Sequence, residues 1–342
     1  MEKRNDALIA AEIMFEYSPP GIYVTQVYDS DQDGQYHPTD FKAAIEEAAK
    51  VSGATDLILL DGFEAWGDAL RALDKRNDPF EAKETMGWFG APRDTPIGSV
   101  DEAGSLIYLS KRTLQVYGNS PARGTRILHA ATTCKRSIVM PDGTIAQVEK
   151  DGSFVAAAMA AYTASFQDPG DTLLRKRLAS FDEIQVYEEA QDLFLGGSNI
   201  IYFKKLGPGI YRIEEDMTVD ITGEEFSIIS AMVQKHHVQR VVREETDAAL
   251  ISVVPSSEQA GIAQVQGVVV SSLLGLLSRG IVGAYQDDQG NERPLNPDKD
   301  VLVFRDATRK TLYHFNFAFW LRYPLKYAFG LYSVDSNDFG RR

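Results

Sequence analysis

Two periods run through the apolar positions of this chain, and the stretch from residue 226 to residue 287 carries the helical one most fully. Within it, residues 257–279 read as one helix. Ile262, Val265, Val269, Leu273, Leu276 and Leu277 step by three and four and mark a single face. Val268, Val270 and Leu274 add a second apolar face, which predicts packing on more than one side. Ser256 or Ser257, after Pro255, fits the N-cap, and Gly280 and Gly283 fit the end. A mixed charged and apolar segment, residues 238–242, precedes this helix, and an acidic turn follows it.

Upstream the two periods alternate. Asp6–Phe15 reads as a short helix with Asp6 as a candidate cap, broken by Tyr17-Ser18-Pro19-Pro20-Gly21, after which residues 22–28 (IYVTQVY) are β-rich. Residues 39–51 form an amphipathic helix with Thr39 as cap and Phe41, Ile45, Ala48 and Ala49 on one face. Residues 56–61 (DLILLD) are a continuous apolar run, the form of a parallel strand buried on both sides. Trp66–Arg76 reads as a helix, and residues 106–109 and 125–131 as strands. This alternation predicts an α/β layer with a partly parallel sheet. A hairpin over residues 137–148 turns at Pro141-Asp142-Gly143. Residues 151–162 make a helix of small residues able to pack very close to a neighbour. Strands are expected at 180–187, 198–204 and 207–213. Near the end, residues 312–319 (LYHFNFAF) place Leu312, His314, Asn316 and Ala318 on one face and aromatics on the other. Pro324 interrupts, and residues 327–334 resume as a strand so rich in β-formers that it needs a partner sheet.

Composition narrows the function. The 342 residues suffice for two or three domains, and 44% hydrophobic with 25% charged residues is a globular balance. A formal charge of −14 argues against binding nucleic acid, which needs a basic surface. One cysteine, Cys134, excludes an internal disulfide. The longest strongly apolar window, residues 268–277, is about half of a membrane span, and the first residues lack an apolar signal core. A soluble protein made in the cytosol is expected.

Candidate chemistry is sparse. Leu195-Gly196-Gly197-Ser198 and Leu206-Gly207-Pro208-Gly209 lack phosphate-loop spacing and read as turns. His236 and His237 are adjacent, so neither helix nor strand turns them into a chelating pair. Lys135 and Arg136 could lower the Cys134 thiol pKa, but no histidine motif marks it as a nucleophile. Glu46-Glu47, Glu188-Glu189, Glu214-Glu215 and Glu244-Glu245 read as solvated surface, or as partners for basic patches such as Arg175-Lys176-Arg177 on a neighbouring subunit. Asp61, His129 and Ser153 follow the chain order of a subtilisin triad. The surrounding motifs depart from that family: Asp61 is followed by Gly62-Phe63, His129 by Ala130-Ala131 and Ser153 by Phe154. A fold of that type without its chemistry is the reading taken.

The order of elements from residue 226 onward resembles the C-terminal domain of contractile tail sheath proteins. An arginine-bearing segment (237–243) precedes the long helix; a loop Arg279-Gly280-Ile281-Val282-Gly283, a strand (301–304) and a final hydrophobic strand pair (312–334) follow. The turn and alanine-rich helix near residue 151, and DALIAAEIMFEYSPPGIYVTQVYD with its helix, glycine turn and strand, fit the same pattern. The resemblance covers most of the chain and implies a mixed α/β (α+β) fold. Residues 1–170 would be a central, partly parallel α/β domain of subtilisin-like type without a triad; residues 171–342 would be a C-terminal α+β sheath domain. The family's leading arm and first domain are expected to be missing or truncated. The resemblance further implies a structural subunit, not an enzyme, with no cofactor and no bound metal. It would polymerise with itself around a tail tube protein, meet baseplate and tail terminator proteins, and neither bind nucleic acid nor insert into membranes. Its place would be a bacteriophage virion tail, assembled in the host cytoplasm for genome ejection, or the particle of a contractile injection system. The terminal strand of Tyr327, Ala328, Phe329, Gly330, Leu331, Tyr332, Ser333 and Val334 would add to a neighbour's sheet. The rivals are a non-polymerising cap or baseplate adaptor of the same machine, and a serine hydrolase of subtilisin-like fold.

Overall fold

The structure is a computed structural model that describes residues 6–28, 37–60, 65–78, 83–91, 93, 124–220, 227–250, 256–286, 289, 292–293, 300–305 and 313–322. Its centre is a parallel sheet of β1 (Asp56–Ile58), β2 (Met86–Gly90) and β3 (Arg126–His129), in that spatial order. Ile201 continues it beyond β3 through a parallel bridge to His129. Side chains alternate across the sheet. Ile58, Trp88 and Ile127 enter one core with α1 (Asp6–Phe15) and α4 (Gly152–Ala164). Leu57, Phe89 and Leu128 enter another with α2 (Pro38–Ala48) and α3 (Trp66–Arg76). Both faces are thus covered, which is why residues 57–60 are apolar without a break.

α1 and α3 have the bounds that their apolar spacing predicts. α2 starts one residue ahead of Thr39: its N-cap is His37, whose backbone N–H donates to Asp40 Oδ2 at 2.9 Å, so Thr39 is no cap. Residues 22–28 form no strand, contrary to their composition. The expected strand at 106–109 lies outside the described residues. β2 was not foreseen, and it is the middle strand of the sheet.

β4 (Thr133–Val139) and β5 (Ile145–Asp151) form the expected hairpin, with Gly143 at φ 81° in its turn. α4 follows at once, capped by Asp151, whose carboxylate accepts from Ser153 N at 2.8 Å. This helix is buried almost all round, and it approaches β2 closely, as its small residues suggested, with Gly152 at its start against Gly90 of β2. β4 also pairs with β7 (Glu183–Ile184), while β6 (Arg177–Leu178), β9 (Ile210–Ile213) and β8 (Phe203–Gly207) make a further antiparallel sheet. A helix not anticipated, α5 (Glu189–Gly197), lies between them in sequence. The β4–β7 pairing and the His129–Ile201 bridge both run across residue 170.

The mixed segment ahead of the long helix is itself a helix, α6 (Ile229–Leu250). Ile229 and Met232 sit in the core of the body, and Val238 and Val242 in a separate third core. α7 (Glu258–Ser278) lies on α6, with Ser257 as N-cap through its Oγ, which accepts from Ala260 N at 3.2 Å. Its far end is a Schellman turn: Ile281 N donates to Leu276 O at 2.9 Å and Gly280 N to Leu277 O at 2.8 Å, with Gly280 at φ 70°. β10 (Tyr285–Gln286) pairs with β11 (Glu292–Arg293), and β12 (Val301–Arg305) with β13 (Tyr313–Phe317). The aromatics Phe315, Phe317 and Phe319 turn inward against α7, as their alternation predicts.

Two expectations for α7 need correction. Its buried positions, among them Val265, Val269, Leu273 and Leu276, form one broad face against which Val270 also packs, while Leu274 is exposed and Val268 half-buried; the second apolar face is covered only in part within the described residues. By length and composition alone it is also long and apolar enough to cross a membrane. The ten-residue window understated it because the flanking glycine, alanine and serine cost little hydropathy. In the fold it packs on α6, β12 and β13, as the core helix of a lobe does.

Candidate subunit interface

The catalytic alternative can be tested on its own residues. His129 and Ser153 do come near one another, because β3 ends where α4 begins. The His129 ring is buried, and its Nε2 lies 2.8 Å from Gly152 O. A carbonyl oxygen only accepts, so Nε2 carries the proton and cannot take one from a serine. Ser153 Oγ is directed at the Asp151 carboxylate within the helix cap. Asp61 lies outside the described residues. This geometry serves the fold: the imidazole ties the sheet to the start of α4. Cys134 is also buried, and burial pushes its thiol pKa up, not down, so the two neighbouring cations do not activate it.

His236 and His237 point apart on α6, as their adjacency requires. Burial, with Lys235 and Arg240 nearby, pulls His236 down to about 3, and burial pulls His129 down to about 4 despite its bond to Gly152. In the unfolded chain both titrate near 6.5. Between that value and the folded values the unfolded chain binds more protons, so their contribution is complete above pH 6.5 and is lost as pH falls. Buried Asp56 and Asp216, whose carboxyls are raised by burial, act in the opposite sense and offset part of it. For His236 alone the loss between pH 7 and pH 5 comes to about 2 kcal/mol. His236→Gln is therefore expected to shrink the pH 7 to pH 5 difference in urea unfolding free energy by about that amount. An unchanged difference would show that His236 is not the buried, neutral group described.

The surface chemistry lies in the C-terminal lobe. Along β12 the residues Val301 and Val303 face the third core, and Leu302 and Phe304 face outward, 59% and 51% exposed. Trp320 is 55% exposed just beyond β13. Among the described residues β12 and β13 form a two-stranded sheet, so each strand has one open edge. An apolar outer face and open edges together suit addition of a further strand. Sequence reasoning did not single out Leu302 and Phe304. The signal was there: VLVF is apolar at every position, which marks a strand covered on both faces, and among the described residues the third core lies on the Val301 and Val303 face.

The lobe is joined to the body by polar contacts. Arg322 Nη2 lies 2.6 Å from both carboxylate oxygens of Asp168, and Arg322 N donates to Gln234 Oε1 at 2.8 Å. Arg243 of α6 pairs with Glu84 ahead of β2. The strand residues Tyr327, Ala328, Phe329, Gly330, Leu331, Tyr332, Ser333 and Val334 lie outside the described residues.

No protein-family model and no curated protein matches the chain. Solved structures do. The contracted helical sheath of the anti-feeding prophage aligns with 98% of this chain and 83% of its own, at 12% identity and a TM-score of 0.65. A chain of the anti-feeding prophage baseplate aligns with 97% of this chain and 82% of its own, at 11% identity and a TM-score of 0.64. The sheath tail protein Lin1278 from Listeria innocua aligns with 80% of this chain, at 11% identity and a TM-score of 0.54; the chain spans 55% of that protein, about half its length. Mixed α/β architecture, element order and these matches agree: the chain has the fold of sheath tail proteins and of contractile injection system sheaths.

Proposed function

We propose that the chain is a structural subunit of a contractile sheath. Copies stack in rings or a helix around an inner tail tube, switch from an extended to a contracted packing, and drive the tube through a target envelope. The observation that carries this reading is the likeness, over nearly the whole chain, to a helical sheath in its contracted state. No chemistry in the chain is needed, since two packings of one subunit store the difference in free energy. The body, with its parallel sheet covered on both faces, is the subtilisin-like part of the family's plan. Met232 lies in one core and Val238 in the other, which supports a boundary of the sheath lobe within α6 as an alternative to one at residue 171. Baseplate and terminator proteins are the proposed partners at the ends of the polymer, and a phage tail or injection particle its place.

Residues 327–334 are proposed to pair with an open edge of the β12–β13 sheet of a neighbouring copy. A chain ending before Tyr327 is then expected to sediment as folded monomers, with the same unfolding midpoint as the whole protein, under conditions where the whole protein polymerises. Uniform tubes from the truncated chain would sink the strand-addition claim. The likeness to a baseplate chain favours a second reading, an adaptor that caps the machine without polymerising. Under that reading the whole chain also stays monomeric or forms a single ring.

A further inference from the structure

Residues 21–28 are the one part of the described body whose local sequence and conformation disagree. Ile22-Tyr23-Val24-Thr25-Gln26-Val27-Tyr28 is rich in strand-formers, yet none of these residues makes a hydrogen bond of any kind. Tyr23 and Tyr28 are over 70% exposed and Val24 59%. The segment is held at both sides, because α1 before it buries Ile9 and Ile13 and α2 after it buries Phe41 and Ile45. It is a strap, not a free arm.

Beside it lies β1, which among the described residues is the end strand of the parallel sheet and pairs on its β2 side alone. Between strap and strand is a cavity of about 690 Å³. One wall is made of alanines, including Ala10 of α1 and Ala157, Ala160 and Ala161 of α4; the strap, β1 and α2 supply much of the rest, and the charged Asp56, Arg76 and Arg240 also line it. Small residues along two helices leave room for a strand's inward side chains.

We infer that residues 22–28 close onto the free edge of β1 as a further parallel strand and fill this cavity. The topology is the one parallel sheets require. Strap, α2 and β1 succeed one another as strand, helix and strand, and β1, α3 and β2 do the same. A sheet that grows in one direction through right-handed crossovers carries both crossover helices on one face. α2 and α3 do share a face, in one core with Leu57 and Phe89. Val27 already packs against that core. In a strand Tyr23 and Thr25 would join it there, and Ile22 and Val24 would point into the alanine-lined space on the opposite face, alongside Ile58. Pro19-Pro20-Gly21 makes the joint, and the space beside Gly21 is open: a Cβ there would meet nothing within 4 Å.

Hydrogen exchange on the full chain tests this. In the closed state about every second amide from Ile22 to Tyr28 enters a ladder, so those amides are expected to exchange at least tenfold more slowly than unstructured ones. Val24→Pro and Thr25→Pro address the two alternating sets, and one of them is expected to abolish the protection while β2 stays protected. Exchange at the unstructured rate across residues 22–28 in the unaltered chain would overturn the inference. So would protection that survives both substitutions. A Val24→Cys/Ile58→Cys pair, treated with a short bis-thiol reagent, is expected to bridge within one chain; the native Cys134 is buried and does not compete. Bridging only between chains would overturn closure by the chain's own strap and give the edge to a second copy.

Discussion

Alanine at Gly90 or Gly152 is expected to leave little folded protein. The two glycines mark the point where β2 and α4 cross. A Cβ on Gly90 would lie 2.1 Å from the Gly152 carbonyl carbon and 2.4 Å from Ser153 N. A Cβ on Gly152 would lie 2.1 Å from Ala131 O and 2.7 Å from Ala91 O. All of these obstacles are backbone, in elements fixed by the parallel sheet and by the Asp151 cap, so no side chain can swing aside. Overpacking that side chains can relieve costs about 1–3 kcal/mol. Here the cost should exceed about 3 kcal/mol, a large part of the 5–15 kcal/mol of a typical domain. Gly267→Ala and Gly275→Ala on α7 are the contrast. A Cβ at either meets nothing within 4 Å, and helix propensity should stabilise the isolated chain by about 1 kcal/mol each. Urea unfolding of the four variants checks this. Near-equal midpoints would mean that α4 does not sit on β2 as described.

The second large effect is expected at Arg76. Its guanidinium is buried, has no carboxylate partner among the described residues, and is held mainly by carbonyl oxygens: Nη1 donates to Ala49 O at 2.6 Å and Val51 O at 3.0 Å, and Nη2 to Ala54 O at 2.6 Å. Nε donates to Thr85 Oγ1 at 2.7 Å. The cation thus sits at the C-terminal end of α2, where the helix dipole favours it, and ties that end to the start of β2. Hydrogen bonds from a charged donor contribute about 1.5–3 kcal/mol, and a buried acceptor left without its donor costs about 1–3 kcal/mol. Arg76→Met is expected to destabilise by about 3–5 kcal/mol. Arg76→Lys should recover little, because one ammonium cannot span carbonyls arranged for a fork. A loss under 1 kcal/mol in Arg76→Met would contradict this account.

How far the sequence reached depends on where each element's partners lie. α1 and α3 were legible to the residue because each shows one apolar stripe to one core. The β4–β5 hairpin was legible from its Pro-Asp-Gly turn, and α7 from its stripe, its serine cap and Gly280. α6 was missed because it serves two cores in turn: Met232 faces one and Val238 the next, so no single stripe runs its length. β2 was missed because MGWFG has two glycines, which lower strand propensity; they are there because Leu73 and the start of α4 press on the strand. Thr39 was taken for a cap because the Asp40–His37 bond cannot be seen in spacing alone. The Asp61, His129 and Ser153 order resembled a triad because β3 does lead to α4, but which hydrogen bond each side chain makes is decided by packing. At the proposed interface, alternation gave the inward aromatics of β13, and the apolar outer face of β12 needed the fold to show what covers it.

Assembly of this chain with itself is tested most directly by electron microscopy of the purified full chain. Hollow tubes of uniform width, lost when the chain stops before Tyr327, are the predicted result. Discrete monomers or single rings from the full chain, at concentrations and salt where related sheaths assemble, would contradict it.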